Sequence, residues 1–138
     1  MYLFIIERVE IIKITKYIFI YNFRSAVLFK ALRFPNCLDD ISAALHYSAK
    51  PEAEYMILDR KARCYLFLKS WLLASKTFKE AVKGIELVED VNKDLKEAFV
   101  GQIETNIGKI PTEEMIKVKF IKGYVLTIYV LFSVTDIL

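Results

Sequence analysis

Residue types that perform chemistry in proteins are few and widely spaced in this chain. The two cysteines, Cys37 and Cys64, form no CxxC pair, and the single histidine, His46, stands at no spacing typical of a zinc site. No serine, cysteine or carboxylate lies where spacing would pair it with His46 for catalysis. We therefore predict no catalytic residue, no metal site and no cofactor, and we expect both cysteines to pack as small apolar side chains.

The composition indicates one modest domain. The chain has 138 residues, of which 55% are hydrophobic, enough for one core. Twenty Lys and Arg against seventeen Asp and Glu give a net charge of +3 without a basic block, so we predict no nucleic-acid partner. The sparse cysteines favour a reducing compartment, cytoplasmic or nuclear.

The apolar ends bear on membrane attachment. Charged residues interrupt the N-terminal apolar run, unlike the core of a secretory signal. The apolar run at residues 123–138 is shorter than the roughly 20 residues that span a bilayer as a helix. We predict no membrane partner, and a membrane-associated helical protein is an alternative interpretation of these ends.

The pattern of apolar residues divides the chain into three segments. We predict an apolar N-terminal extension at residues 1–21 without helical periodicity, a helical domain at residues 22–107, and a C-terminal extension at residues 108–138. Both extensions are expected to be irregular.

Within the helical domain, apolar residues recur at intervals of three or four and predict five helices. Pro35 suits the first turn of the second helix, Pro51 precedes the third, and Gly108 with Pro111 ends the fifth. We expect two antiparallel hairpins capped by the fifth helix. The predicted helices cover residues 26–34, 35–45, 52–69, 71–85 and 91–107.

The two predicted hairpins are copies of one another. Four pairs of residues are each separated by 37 positions, and small residues occupy three of the four pairs, as closely approaching helices require. The same register relates Phe34 to Trp71, so Trp71 is expected to pack between the helices of the second hairpin. The pairs are Ser25 with Ala62, Cys37 with Ala74, Ile41 with Phe78, and Ala44 with Ala81.

These positions match the tetratricopeptide pattern, whose usual period is 34. The stretches RSAVLFKALRFPNCLDDISAAL (residues 24–45) and DRKARCYLFLKSWLLASKTFKEAV (residues 59–82) resemble one family more closely. They are similar to the tetratricopeptide segment that precedes the catalytic region in SET and MYND domain-containing lysine methyltransferases of the fourth-member type. The resemblance implies an all-α fold of tetratricopeptide-like hairpins, an α-solenoid fragment, in a parent protein that methylates lysine.

The chain lacks the parts of that family that carry out the reaction. The dense Cys/His array of a MYND domain and the S-adenosylmethionine-binding elements of a SET domain do not occur. We therefore predict that this chain is not an enzyme, with part of an active methyltransferase in a longer isoform as an alternative.

The resemblance also implies a site. The inner helices of tetratricopeptide repeats line a concave groove that holds peptides, and some relatives use a carboxylate clamp of Lys, Asn and Arg. Arg60 occupies the arginine position, whereas Met56 and Phe23 stand where a clamp needs lysine and asparagine. The clamp is incomplete.

We predict that Lys30, Arg60 and Arg63 lie in a peptide-binding groove of a protein-interaction scaffold. The expected partner is a protein or peptide, such as a chaperone tail or the absent catalytic domain. Two hairpins are near the lower limit for a stable repeat array, so self-association is a further expected interaction of this chain.

Overall fold

A computed structural model describes residues 2–113, and the chain is all-α in this range, as predicted. The helices are α1 (Tyr2–Lys30), α2 (Phe34–Tyr47), α3 (Tyr55–Phe67), α4 (Trp71–Glu86) and α5 (Lys93–Ile107), with a 3₁₀ turn at Pro51–Ala53. Helix α1 pairs with α2, helix α3 pairs with α4, and α5 covers the second hairpin.

The prediction of an irregular N-terminal extension is wrong. Helix α1 runs without interruption through residue 21 and begins at Tyr2. No Gly or Pro occurs before Pro35, so nothing in the sequence breaks the helix. The first half of α1 shows no helical period because its apolar and charged side chains are both spread around the whole helix. From residue 114 onward, the predicted C-terminal extension lies outside the described residues.

The 37-residue register is confirmed by burial. All eight residues of the four pairs have an exposed fraction of 0%. The first hairpin buries Cys37, Ile41 and Ala44 against Ile57 and Cys64 of α3. Because residues 37 positions apart are both fully buried, the two hairpins use equivalent helix faces for their cores.

The turns inside the two hairpins repeat as well. Leu32 and Lys69, also 37 positions apart, have φ of 60° and 59°. After each of them the next backbone N–H donates to a carbonyl five residues earlier, Arg33 to Leu28 at 2.9 Å and Ser70 to Tyr65 at 2.9 Å. This pairing is the Schellman motif, which satisfies carbonyls at a helix end and reverses the chain. The repeat therefore extends to backbone conformation.

Helix α5 closes the second core. Ile103 of α5 and the following Ile110 are buried with Ala62, Ala74 and Phe78. The side chain of Asn92 caps α5 by accepting a 2.8 Å hydrogen bond from the Leu95 N–H. The fifth helix thus shields apolar surface that the second hairpin would otherwise expose. Within residues 2–113, no helix combines the length and apolar character that crossing a membrane requires.

Candidate peptide-binding groove

A groove of about 590 Å³ opens on the side of the molecule formed by α1, α3 and α5. These are the first helices of the successive hairpins and the cap, which is the inner side predicted from the repeat. The start of α4 closes one end through Trp71. The lining residues are Phe29, Asp59, Arg63, Leu66, Phe67, Trp71, Gln102, Thr105, Asn106 and Lys109.

Arg63 is the predicted site residue that lines this groove. Its guanidinium lies 4.9 Å from the centre of the Phe29 ring, and its Nη2 pairs with Asp59 Oδ2 at 3.2 Å. Its Nε is buried and has no hydrogen-bond partner among the described residues. The contacts with Phe29 and Asp59 fix the orientation of the Arg63 side chain, which remains 35% exposed. Arg63 therefore presents a fixed guanidinium to the groove.

Asp59 limits how positive the groove is. Burial raises the pKa of this carboxyl, and the neighbouring Arg63 and Arg60 oppose that rise. With Asp59 ionised, Arg63 and Lys109 leave the lining with one net positive charge. A carboxylate approaching Arg63 and Lys109 meets two cations and one anion, so the groove favours an acidic group.

An aromatic wall forms the apolar side of the groove. The Phe29 and Phe67 rings meet edge to face at 5.8 Å, and Phe34 stacks on Phe67 at 5.0 Å with an interplanar angle of 3°. Phe67 remains 58% exposed although both neighbouring rings hold it. Trp71 is half-buried and packs on the second core, and one of its sides faces the groove. Rigid, accessible rings of this kind suit an apolar side chain from a ligand.

Arg60, also predicted for the groove, is used inside the protein. Its Nη1 donates to Asn22 Oδ1 at 2.7 Å, to Ser25 Oγ at 2.9 Å and to the Asn22 carbonyl at 3.3 Å. Burial lowers the pKa of this guanidinium. Arg60 thus joins α3 to α1, and it does not line the groove.

Lys30, the third predicted residue, is exposed at the last position of α1 and lies outside the groove lining. The two positions that break the carboxylate clamp, Met56 and Phe23, are exposed by 63% and 64%. Of the three predicted residues, then, the fold brings Arg63 to the groove and directs the other two elsewhere.

Sequence reasoning missed the contribution of α5. Gln102, Thr105 and Asn106 line the groove opposite Arg63, and Lys109 follows them. These residues are spaced by three or four positions, so they lie on one face of the helix. The sequence alone could therefore have predicted a polar face of α5. Only the docking of α5 on the second core aims that face at α3.

Sequence reasoning also missed an ion pair that holds the first hairpin together. Arg24 of α1 binds Asp40 of α2 through two hydrogen bonds of 2.6 and 2.7 Å. The Asp40 side chain is 7% exposed. Donating these hydrogen bonds to the Asp40 carboxylate raises the pKa of the Arg24 guanidinium. This bidentate pair fixes the register of α1 on α2. It thereby helps to position Phe29 of α1 in the groove.

No match to this chain was found among protein-family models, curated proteins or solved structures. The resemblance to SET and MYND methyltransferases therefore stays a prediction. In residues 2–113 there is also no group of three or more His, Cys, Asp or Glu side chains arranged to hold a metal ion.

Proposed function

We propose that this chain is a protein-interaction scaffold that binds an extended peptide in the groove between α1, α3 and α5. The observation that supports the proposal is Arg63, whose guanidinium is held by Phe29 and Asp59 and lines the groove beside the aromatic wall. The peptide offers an apolar or aromatic side chain to Phe67 and Trp71 and a carboxylate to Arg63 and Lys109.

The groove has the size for such a ligand. Its volume of about 590 Å³ holds two or three side chains rather than a whole folded domain. Polar side chains of α5 face the wall and can bond the peptide backbone, which an extended peptide leaves unpaired. Affinity then rests on the aromatic wall, and selectivity rests on the charge beside it.

The parent protein is also part of the proposal. The stretches at residues 24–45 and 59–82 support membership of the SET and MYND methyltransferase family. In that setting the groove recruits a peptide-bearing partner to the catalytic region, or docks on the catalytic region itself. Reading the complete transcript for a downstream MYND and SET frame tests this part without any binding measurement.

Trp71 provides the binding assay, because it is the one tryptophan of the chain and lines the groove. Peptides that pair a phenylalanine with a glutamate should change its fluorescence saturably, whereas peptides with lysine in place of glutamate should bind about tenfold more weakly. Comparing free-acid with amidated peptides separates a terminal carboxylate from a side-chain carboxylate.

Groove variants complete the test. Arg63→Ala and Phe67→Ala should each weaken binding about tenfold, whereas Lys76→Ala on the exposed face of α4 should leave it unchanged. Equal binding by Arg63→Ala and the intact chain would reject this groove as the peptide site.

A further inference from the structure

Two free thiols meet at the boundary between the two hairpins. Cys37 lies on α2 and Cys64 lies on α3, both are fully buried, and their Sγ atoms are 3.4 Å apart. A disulfide bond is about 2.05 Å long, so the two sulfur atoms need to approach by only about 1.4 Å for a bond to form. The fold therefore holds the two thiols in a position from which oxidation can join them.

Helix packing accounts for the size of these two residues but not for their chemistry. In the 37-residue register the counterpart of Cys37 is Ala74, which is equally buried, so an alanine is sufficient to fill such a position. The first hairpin instead has a thiol there, and α3 supplies the second thiol to the same apolar cluster. Both cysteines of the chain thus lie at one contact between two helices.

From this geometry we infer that Cys37 and Cys64 form a site of reversible oxidation, at which hydrogen peroxide converts the two thiols into a disulfide that joins the first hairpin to the second. The hydrogen bonds set the order of the steps. The Cys64 thiol donates to Cys37 Sγ, which favours Cys37 as the first thiolate because an accepted hydrogen bond stabilises negative charge.

The reaction proceeds in two steps. The Cys37 thiolate attacks one oxygen of the peroxide, the O–O bond breaks, and hydroxide leaves, which produces a sulfenic acid on Cys37. The Cys64 thiolate then attacks the Cys37 sulfur, the S–O bond breaks, and a second hydroxide leaves. The two hydroxides take up the two thiol protons as water. Two electrons pass from the thiols to the peroxide, and a small thiol reductant reverses the bond by exchange.

The boundary between the hairpins is also where the oxidant enters. Helix α2 packs less extensively on α3 than on α1, so the two hairpins separate locally more easily than either one opens. Burial raises the pKa of both thiols, and the charges of Arg60 and Arg63 oppose that rise. A local separation relieves the burial and leaves both arginines on α3 beside Cys64. The thiolates then form more readily while each hairpin stays folded.

The disulfide strengthens a boundary that is otherwise held without covalent bonds. The two cysteines are 27 positions apart, and closing a loop of this length restricts the unfolded chain and stabilises the folded one. Arg60 already joins α3 to α1 through Asn22 and Ser25. Oxidation therefore fixes the two hairpins in the arrangement that this guanidinium and the apolar cluster maintain in the reduced chain.

Peroxide treatment of the purified full chain tests the inference. The free thiols, counted after denaturation, should fall from two to zero, and a thiol reductant should restore both. Trypsin cuts after Arg60 and Arg63, between the cysteines, so the disulfide should appear as one pair of linked peptides from a monomeric chain. Two thiols that persist after the same treatment has fully oxidised free glutathione, or links formed only between chains, would overturn the inference.

A pair of variants tests the route of entry. Arg60→Leu weakens the link between the hairpins and should speed disulfide formation about tenfold, because the open state becomes more populated. Lys76→Leu on the exposed face of α4 is the control and should leave the rate unchanged. Equal rates for the two variants would overturn entry through the separation of the hairpins.

Urea denaturation followed by Trp71 fluorescence tests the consequence of the bond. The oxidised chain should unfold at a higher urea concentration than the reduced chain. Cys37→Ala is the matched control, because it undergoes any methionine oxidation but cannot form a disulfide within the chain, so peroxide should not raise its midpoint. Equal midpoints for the oxidised and reduced intact chain, or an equal rise in Cys37→Ala, would contradict a disulfide that holds the hairpins together.

Discussion

Lys69 has a backbone conformation that favours glycine. Its φ of 59° ends α3 in the left-handed region, and its counterpart Leu32 ends α1 in the same way at 60°. This conformation costs an L-residue about 1 to 2 kcal/mol, and a β-branched side chain finds it hardest to adopt. Both residues persist there because the Schellman hydrogen bonds and the helices on either side determine the turn.

Lys69→Gly should therefore stabilise the chain by about 0.5 kcal/mol, since relief of the strained φ exceeds the added entropy of glycine in the unfolded state. Lys69→Val should destabilise it by about 1 kcal/mol or more. Urea denaturation followed by Trp71 fluorescence measures both variants. Greater stability of the valine variant would show that the turn does not hold this conformation in solution.

Cys37 and Cys64 form a buried thiol pair with their Sγ atoms 3.4 Å apart. Burial is the largest cause that raises the pKa of both thiols. The folded chain keeps them neutral, whereas in the unfolded chain they ionise near pH 8.5. Their contribution to stability is therefore fully present below about pH 8.5 and is lost as the pH rises above it.

Between pH 8.5 and 10, each thiol should lower the free energy of unfolding by up to about 1.4 kcal/mol per pH unit. Cys64→Ala should reduce this slope by about half, although the variant starts from a lower stability. Urea titrations at several pH values give the slopes, and identical slopes for the two chains would contradict the buried neutral pair.

At the scale of elements, two helical glycines differ in what surrounds them. A Cβ on Gly84 of α4 would lie 2.7 Å from the Glu52 carbonyl oxygen, so α4 packs directly against the backbone of the turn before α3. A Cβ on Gly101 of α5 would meet nothing within 4 Å. Gly84 is thus required by close packing, and Gly101 is not.

Gly84→Ala should cost about 1 to 3 kcal/mol through overpacking against a backbone atom. Gly101→Ala should instead stabilise the chain by about 0.5 to 1 kcal/mol, because alanine favours the helix. Thermal unfolding of the two variants should shift in opposite directions. A shift in the same direction for both would mean that α4 does not approach the 3₁₀ turn so closely.

The bounds of the elements were predicted with uneven success. Helices α4 and α5 agree with the predicted stretches to within two residues, because the turn at Ser70, the Asn92 cap and Gly108 act locally at helix ends. The third helix was predicted to start near Glu52, but Pro51–Ala53 forms a separate 3₁₀ turn and α3 starts at Tyr55. The sequence does not reveal the start of α1, because apolar and charged residues are mixed around the whole helix there and leave no period to detect.

For the molecule as a whole, one guanidinium links the two repeats. Arg60 satisfies both Asn22 and Ser25, and Ser25 is completely buried. Without the Arg60 donor, the side-chain oxygens of Asn22 and Ser25 lose a hydrogen-bond partner in a buried contact, which lowers the free energy of unfolding. The first hairpin would then hold to the second mainly through the apolar cluster around Cys37, Ile41 and Ile57.

Arg60→Leu should therefore reduce the free energy of unfolding by about 1 to 2 kcal/mol. Hydrogen exchange should accelerate more in α1 and α2 than in α4, because the first hairpin loses its polar link. Lys76→Leu on the exposed side of α4 provides the control and should change little. Equal acceleration throughout the chain would show that the two hairpins unfold as one unit regardless of Arg60.

The sequence by itself determined the helical class and the 37-residue register, since the register depends on local spacing that the eight fully buried residues reproduce. Arg63, which the sequence assigns to a groove, lines the groove between α1, α3 and α5, and its role in peptide binding stays a prediction. Only the tertiary structure decided that Arg60 turns to α1, because its partners lie 35 and 38 positions away and no local pattern encodes them. Likewise, the polar side of the groove exists only after α5 docks. Helix formation follows from neighbours in sequence, whereas the use of each charged side chain follows from which helices meet.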